Sequence, residues 1–189
     1  MNKKEIISYL QSIVAIPMLA MTIPLTGITS IANLTANDNV TAENSVITTQ
    51  EEVKRKEKAN AIDAYFTKYD APLAGYGMKF VIEAEKNGID WRLLPAIAMR
   101  ESTGGIQKCK KVPNSVFGWG SCKISFESID QSIEIISIHL GGNNENTDHH
   151  YEDKTTLQIL RKYNSVIPNY PKEVVKIMKM IQDDGQEII

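Results

Sequence analysis

The pattern of hydrophobic and polar positions predicts a succession of helices over the later two thirds of the chain. Each is marked by an apolar stripe at helical spacing and by a start or stop signal. Ser128 and Thr155 each precede a glutamine by three residues, which is the capping-box pattern. The first of these predicted helices ends at Asn87-Gly88, and the last begins at Pro171. The three helices between them run from Asp90 to about Glu101, from Ser128 to Gly141 and from Thr155 to about Tyr163.

The start of the chain follows a different pattern. Two lysines precede an uncharged run from Ile6 to Asn37, and small residues follow its apolar middle. This order predicts, over residues 1–32, either a cleaved secretory signal peptide or a retained membrane anchor. Pro17 and Pro24 weaken a regular spanning helix, although bilayers tolerate them. Both alternatives place the remainder outside the cytoplasm, secreted or anchored at the cell envelope.

Three further segments follow the leader. Residues 33–50 are rich in Thr, Asn, Ser and Glu, which predicts a polar linker. Residues 51–70 predict a charged N-terminal helix, and residues 71–184 predict one folded domain. Between residues 104 and 126, glycines and alternating apolar residues indicate loops with a small β-hairpin. The expected fold class is therefore mainly α.

Composition narrows the possible functions. The formal net charge of −2 argues against a nucleic-acid partner, because phosphate binding normally requires a basic excess. Bulk charge does not attract an anionic polymer either, so any polymer recognition has to be local. His139, His149 and His150 form no zinc signature, and Asp148 and Asp153 lie with two of them in a polar segment. We expect no metal and no cofactor.

Glu101 is the first candidate for chemistry. An apolar helix runs into this carboxyl group, and Gly104 and Gly105 then break the helix. A helix C-terminus and apolar neighbours both disfavour ionisation of a carboxyl group. A glutamic acid that keeps its proton is what a glycosidase needs in order to protonate a leaving sugar oxygen. The alternative is a solvated surface charge beside Arg100.

The segments around Glu101 resemble a known family. They are Glu101-Ser102 at the end of an apolar helix, Asn114-Ser115-Val116-Phe117-Gly118-Trp119-Gly120, Phe126 to Ile133 leading into a helix, and Tyr170 with Val174. Their order and spacing are similar to the glucosaminidase domain of bacterial wall hydrolases, glycoside hydrolase family 73 of the lysozyme-like superfamily. The resemblance covers about residues 77–181.

This resemblance implies a lysozyme-like α+β fold of short helices with a small β-hairpin or loop lobe. It also implies a monomeric endo-β-N-acetylglucosaminidase that acts on peptidoglycan glycan strands, with Glu101 as general acid/base. The implied substrate-binding residues are Ser102, Asn114, Phe117, Gly118, Trp119 and Tyr163. Aromatic faces pack against sugar C–H surfaces, and glycines allow close backbone approach. Ordinary core packing is the alternative for Phe117, and a buried tyrosine with a satisfied hydroxyl is the alternative for Tyr163.

The sequence leaves the second catalytic group open. Candidate carboxylates for a pair are Glu127, Asp130, Asp148 and Asp153, and their spacing selects none. Several lysozyme-like families use one glutamate alone, so a hydrolase and a lytic transglycosylase or muramidase both fit. A non-catalytic peptidoglycan-binding module and a purely structural, membrane-tethered protein are the alternatives outside enzymes.

Cys109 and Cys122 straddle the Phe117–Gly120 turn. In a chain that leaves the cytoplasm, two cysteines at this spacing predict a disulfide. A bond across so short a loop contributes about 3 kcal/mol in the chain-entropy model. Two free thiols with a redox role are the alternative, although the chain lacks a Cys-x-x-Cys motif.

Overall fold

Seven α-helices and one 3-10 turn make up the part of the chain that the computed structural model describes, residues 38–186. The predicted signal peptide or anchor at residues 1–32 lies outside this part. The helices are α1 (Asp38–Lys68), α2 (Gly77–Lys86), α3 (Leu93–Ser102), α4 (Ile129–Leu140), α5 (Asp148–Tyr151), α6 (Thr156–Tyr163) and α7 (Tyr170–Gln186), with the 3-10 turn at Trp119–Cys122. Residues 38–186 contain no strand, and the mainly-α prediction is confirmed.

Helix α3 is the most buried element because its sequence is apolar on every side. Its first six residues are all buried, and Leu93, Leu94, Ala96, Ile97 and Ala98 have no exposed surface. A helix that is hydrophobic all round belongs inside a core. Helices α7 and α2 pack against it. Only its last turn, with Met99, Arg100 and Glu101, reaches the surface.

Helix α1 begins earlier than the sequence predicts. The polar segment 33–50 was expected to be a linker, yet the helix starts at Asp38. Extending an existing helix costs far less than starting one, so the packed later half of α1 supports helical structure in the polar residues before it. That later half belongs to the core of the domain, since Ile62, Tyr65 and Phe66 are fully or almost fully buried. Within residues 38–186, no helix is both long and apolar enough to cross a bilayer.

The helix signals read from the sequence are largely confirmed. The Thr155 hydroxyl accepts from the Gln158 N–H and the Gln158 side chain accepts from the Thr155 N–H, a complete capping box. Ser128 caps α4 by accepting from the Gln131 N–H at 3.0 Å. The Gln131 side chain accepts from the N–H of Glu127 instead of Ser128, so the box at Ser128 is only half formed. The four-residue helix α5 was not predicted.

The segment between α3 and α4 forms turns where a small β-hairpin was expected. Its backbone enters the left-handed region at Thr103, Gly104, Gly105, Gly118, Gly120, Ser121 and Cys122. Left-handed residues interrupt an extended strand, so a ladder of paired strands cannot continue through these positions. The segment 103–128 is therefore a loop lobe without sheet structure.

A buried asparagine joins α2 to α4. The Asn87 side-chain amide donates to the Glu83 carbonyl oxygen at 2.9 Å and to the Ser137 hydroxyl at 3.0 Å. Its oxygen accepts from the side chain of Asn143 at 3.0 Å. Gly141 lies so close that a Cβ there would be 2.4 Å from the Asn87 carbonyl oxygen. One polar side chain thus fixes the ends of two helices.

We expect Asn87→Ala to lower the free energy of unfolding by about 2–4 kcal/mol, because it removes three largely buried hydrogen bonds. Urea denaturation followed by circular dichroism measures the change. Asn60→Ala, at an exposed position of α1, is the matched control and should change stability by no more than about 0.5 kcal/mol. Equal losses in the two variants would contradict the structural role given to Asn87.

Candidate active site

The end of α3 is fixed by its own backbone and by one buried serine. Thr103 adopts the left-handed conformation and ends the helix. The Ser102 hydroxyl donates to the Ala98 carbonyl oxygen at 3.0 Å and accepts from the Gly105 N–H at 2.9 Å. Gly104 then passes against the core, where a Cβ would be 2.6 Å from the Ala71 side chain. These contacts place Glu101, one residue before the end of α3, at a defined position.

The Glu101 carboxyl group is held between two other elements. The hydroxyl of Tyr170, the first residue of α7, donates to Glu101 Oε1 at 2.7 Å. The other oxygen, Oε2, lies against Gly118, where a Cβ would be only 3.1 Å away. Because Gly118 has a φ of +63°, two independent constraints favour glycine there. The carboxyl group is partly exposed.

A surface groove of about 410 Å³ opens over this carboxyl group. Its walls come from the end of α3, the 118–121 turn, the end of α6 and the loop that leads to α7. The lining residues are Glu101, Phe117, Gly118, Trp119, Ser121, Tyr163, Asn164, Ser165, Val166 and Ile167. Glu101 is the only carboxylate, and indeed the only charged side chain, among these lining residues.

Aromatic rings form one wall of the groove. The Trp119 ring lies 5.6 Å from that of Tyr163 and 5.1 Å from that of His139, measured between centroids. Tyr163 in turn stacks on Tyr170 at 5.9 Å with an interplanar angle of 10°. The Tyr163 hydroxyl donates to the Phe117 carbonyl oxygen at 2.5 Å. The wall is thereby tied to the same turn that approaches Glu101.

Several residues predicted from the sequence meet in this groove: Glu101, Phe117, Gly118, Trp119 and Tyr163. The alternative readings for two of them also hold in part. The Phe117 side chain is fully buried and packs edge-on against Phe80, with centroids 6.5 Å apart. The hydroxyl of Tyr163 is satisfied by a backbone carbonyl, as expected for a tyrosine packed in a wall.

Ser102 and Asn114 were predicted to bind substrate, and the structure corrects that expectation. Ser102 is 2% exposed and its hydroxyl is engaged with the backbone at the end of α3. Asn114 donates to the carbonyl oxygens of Phe126 and Glu127, at 2.9 and 3.0 Å, and so fastens the loop lobe to the start of α4. Neither lines the groove. Both support the residues that do.

None of the four candidate second carboxylates lines the groove. Asp130 lies in the first turn of α4, and Asp148 is the first residue of α5. Asp153 lines a different pocket of about 240 Å³ near the ends of α2 and α4. Glu127 is exposed just before the Ser128 cap. In the described residues, a pair of carboxylates facing each other across the groove is not formed.

Sequence reasoning missed two parts of the groove. Tyr170 was noted only as part of a late helix pattern, and nothing in its spacing indicated a bond to Glu101. Ser121 and the segment 164–167 belong to loops, which carry no periodic signal. In that segment Val166 is 86% exposed and forms an aliphatic rim. The packing of α7 against α3 brings Tyr170 and the segment that leads to it close to the carboxyl group.

Cys109 and Cys122 are joined in a disulfide, as predicted, with their Cα atoms 5.9 Å apart. The bond closes the loop that carries Phe117, Gly118 and Trp119. Among the described residues there is no group of three or more His, Cys, Asp or Glu side chains arranged to hold a metal ion.

Three tyrosines in and around the groove have pKa values well above the ordinary value of a tyrosine. Burial raises the pKa of Tyr163 well above its ordinary value, and the Glu101 charge raises it further. Burial, the neighbouring Tyr163 and the bond to Glu101 likewise raise the pKa of Tyr170 far above that value. Burial raises the pKa of Tyr151 to about 12. These phenols stay protonated at neutral pH, and those of Tyr163 and Tyr170 donate hydrogen bonds.

Comparison of the chain with protein-family models, with curated proteins and with solved structures finds no match.

Raised tyrosine pKa values predict a loss of stability in alkali. Above pH about 10 the unfolded chain releases these phenolic protons while the folded chain retains them. Each of these tyrosines therefore lowers the free energy of unfolding by up to about 1.4 kcal/mol per pH unit. Urea denaturation between pH 8 and pH 11.5 measures the slope. Tyr163→Phe should make the decrease shallower. A slope unchanged by this substitution would contradict the predicted titration.

Proposed function

We propose that this chain is a peptidoglycan glycosidase of the endo-β-N-acetylglucosaminidase type, with a lysozyme-like fold and Glu101 as its general acid/base. The observation that carries the proposal is the partly exposed Glu101 carboxyl group in a groove with an aromatic wall, held by Tyr170 from another helix. The resemblance of residues 77–181 to glycoside hydrolase family 73 supports the same reading.

The groove supplies the parts that cleavage of a sugar polymer requires. The rings of Trp119 and Tyr163 offer apolar surface to the C–H face of a sugar ring. Tyr170 fixes Oε1 of Glu101, so the bond to the departing oxygen is made through Oε2 on the Gly118 side. A positioned general acid of this kind contributes about 10²–10⁴-fold to the rate.

The second half of the reaction proceeds without a second carboxylate from the groove. Since Glu101 is the only charged lining residue, either a water or the substrate's own hydroxyl attacks the anomeric carbon. Glu101, now ionised, accepts the proton of that attacking group. Attack by water gives a hydrolase, and attack by the substrate's hydroxyl gives an anhydro sugar, the product of a lytic transglycosylase.

The second candidate is a non-catalytic peptidoglycan-binding module. The same absence of a second carboxylate among the lining residues favours it, because the aromatic wall alone is sufficient to bind a glycan. Both candidate functions require that the chain is exported from the cytoplasm, because peptidoglycan lies outside it. The disulfide supports export, because such bonds persist in oxidising surroundings.

We expect Glu101→Gln to abolish the release of fragments from purified peptidoglycan, because an amide is not acidic enough to transfer a proton to the leaving oxygen, while the fold is retained. Mass spectrometry of the released material measures activity. Reducing N-acetylglucosamine ends indicate a glucosaminidase, reducing muramic ends a muramidase, and anhydro-muramic ends a lytic transglycosylase. Glu145→Gln, at an exposed position away from the groove, is the matched control and should keep full activity.

Full activity of Glu101→Gln would overturn the assignment of the acid. If the unmodified chain releases no fragments but sediments with peptidoglycan, the binding module is the correct reading. If it neither cleaves nor sediments with peptidoglycan, both candidates fail.

Tyr170→Phe tests the positioning of Glu101. Loss of a hydrogen bond to a carboxylate costs about 1.5–3 kcal/mol, so we expect kcat to fall about 10- to 100-fold. KM should change little, because the phenyl ring still stacks on Tyr163. Steady-state kinetics on soluble glycan fragments separates the two constants. A rise in KM at constant kcat would instead give Tyr170 a role in substrate binding.

A further inference from the structure

The stretch between Glu101, in the last turn of α3, and Glu127, just before α4, carries a charge pattern that the proposed mechanism does not use. From Ser102 to Phe126 the sequence contains four lysines and no aspartate or glutamate. The chain as a whole has 21 basic and 23 acidic residues, so this segment is a local exception to a slightly acidic protein. We call residues 102–126 the lysine loop.

The disulfide gathers the lysines of this loop. Lys108 and Lys110 flank Cys109, and Lys123 follows Cys122. Neighbouring Cα atoms are about 3.8 Å apart, and the two cysteine Cα atoms are 5.9 Å apart. The Cα atoms of Lys110 and Lys123 therefore lie within about 13.5 Å of each other. At an ionic strength of about 0.01 M the Debye length is about 30 Å, which exceeds this separation, so the charges act together in dilute salt.

These lysines are available to a partner. Lys110, Lys111 and Lys123 are exposed and Lys108 is partly exposed. The ion pairs of the described residues involve other basic side chains: Arg55, Lys58, Lys68, Lys79, Lys86, Arg92, Arg100 and His149. The positive potential of the lysine loop is thus not neutralised by ion pairs within the described part of the chain.

The lysine loop also forms part of the groove. Gly118, Trp119 and Ser121 belong to it and line the groove beside Glu101. The lysine loop therefore contributes both part of the groove wall and a set of exposed lysines. The residues that line the groove carry no positive charge, so the lysines of the loop add a property that the groove itself lacks.

We propose that the lysine loop binds a phosphodiester-bearing polymer of the cell wall alongside the glycan in the groove. The loop contains lysines and no arginine. Arginine engages carboxylates and phosphates alike by paired, planar hydrogen bonds, whereas lysine acts as a point charge on a flexible stem and does not require a fixed orientation of the anion. A flexible chain of repeated phosphate charges fits such a surface better than the separate carboxylates of peptide stems. The choice of a wall polymer rests on the proposed function, while the cationic surface does not.

The test measures binding in the inactive Glu101→Gln chain, so that cleavage does not interfere. Binding to poly(glycerol phosphate) is measured by calorimetry at increasing salt. Sedimentation with purified walls is compared before and after hydrofluoric acid has removed their phosphodiester polymers. The loop variant carries Lys108→Gln, Lys110→Gln, Lys111→Gln and Lys123→Gln. The matched control removes the same total charge from exposed sites on α1 and α7, through Lys54→Gln, Lys56→Gln, Lys176→Gln and Lys179→Gln.

We expect the unmodified loop to bind poly(glycerol phosphate) with an affinity that falls as salt rises, and to prefer untreated walls. At low salt the loop variant should bind about tenfold more weakly or worse, and the control should lose much less. Equal losses in both variants would show that bulk charge is responsible and would overturn the proposal. So would equal binding to treated and untreated walls.

Ile106 and Ile124 are also exposed on the lysine loop, so vesicles of anionic lipid form a separate arm of the experiment. Loop-dependent binding to vesicles without binding to poly(glycerol phosphate) would overturn the proposal in favour of a membrane surface. These outcomes are independent of catalysis. A chain that cleaves peptidoglycan but fails here loses only this inference, and a chain that binds the polymer without cleaving loses only the enzymatic proposal.

Discussion

The hydrogen bond from Tyr170 to Glu101 joins the end of one helix to the start of another, and the groove is built around it. Helix α3 is surrounded by core, so its last turn has little freedom to move. Helix α7 packs along α3 and carries Tyr170 to the same place. With one carboxyl oxygen occupied by the phenol, the other lies against Gly118, which has no side chain to displace it.

A second set of contacts links the groove to the rest of the domain. Trp119 lies beside His139 of α4, Tyr151 of α5 and Tyr163 of α6, so three helices meet at one ring. Two polar side chains also anchor the loop lobe. Ser102 at its start and Asn114 within it both donate hydrogen bonds to backbone carbonyl oxygens. The shape of the groove thus depends on contacts from several helices, and the ring contacts of Trp119 join residues that are far apart in sequence.

Signals that are local in sequence predicted the local structure well. The stripes and caps at Ser128 and Thr155 gave correct helices, and the glycines after Glu101 gave the correct end of α3. The helical extension at residues 38–50 was missed because composition does not report the packed half of the same helix. The structure forms no hairpin between α3 and α4. The sequence did not indicate this, because left-handed residues other than glycine, such as Ser121 and Cys122, leave no trace in it. Tyr170 could be placed beside Glu101 only from the tertiary packing.

The covalent bond between Cys109 and Cys122 has a consequence for how the molecule matures. Thiols stay reduced in a cytosol kept reducing by glutathione and thioredoxin, so a newly synthesised chain lacks this link for as long as it remains in such surroundings. During that interval the turn with Gly118 and Trp119 is held only by non-covalent contacts. Material overproduced inside a reducing host consequently requires an oxidation step before this loop attains the disulfide-closed arrangement described above.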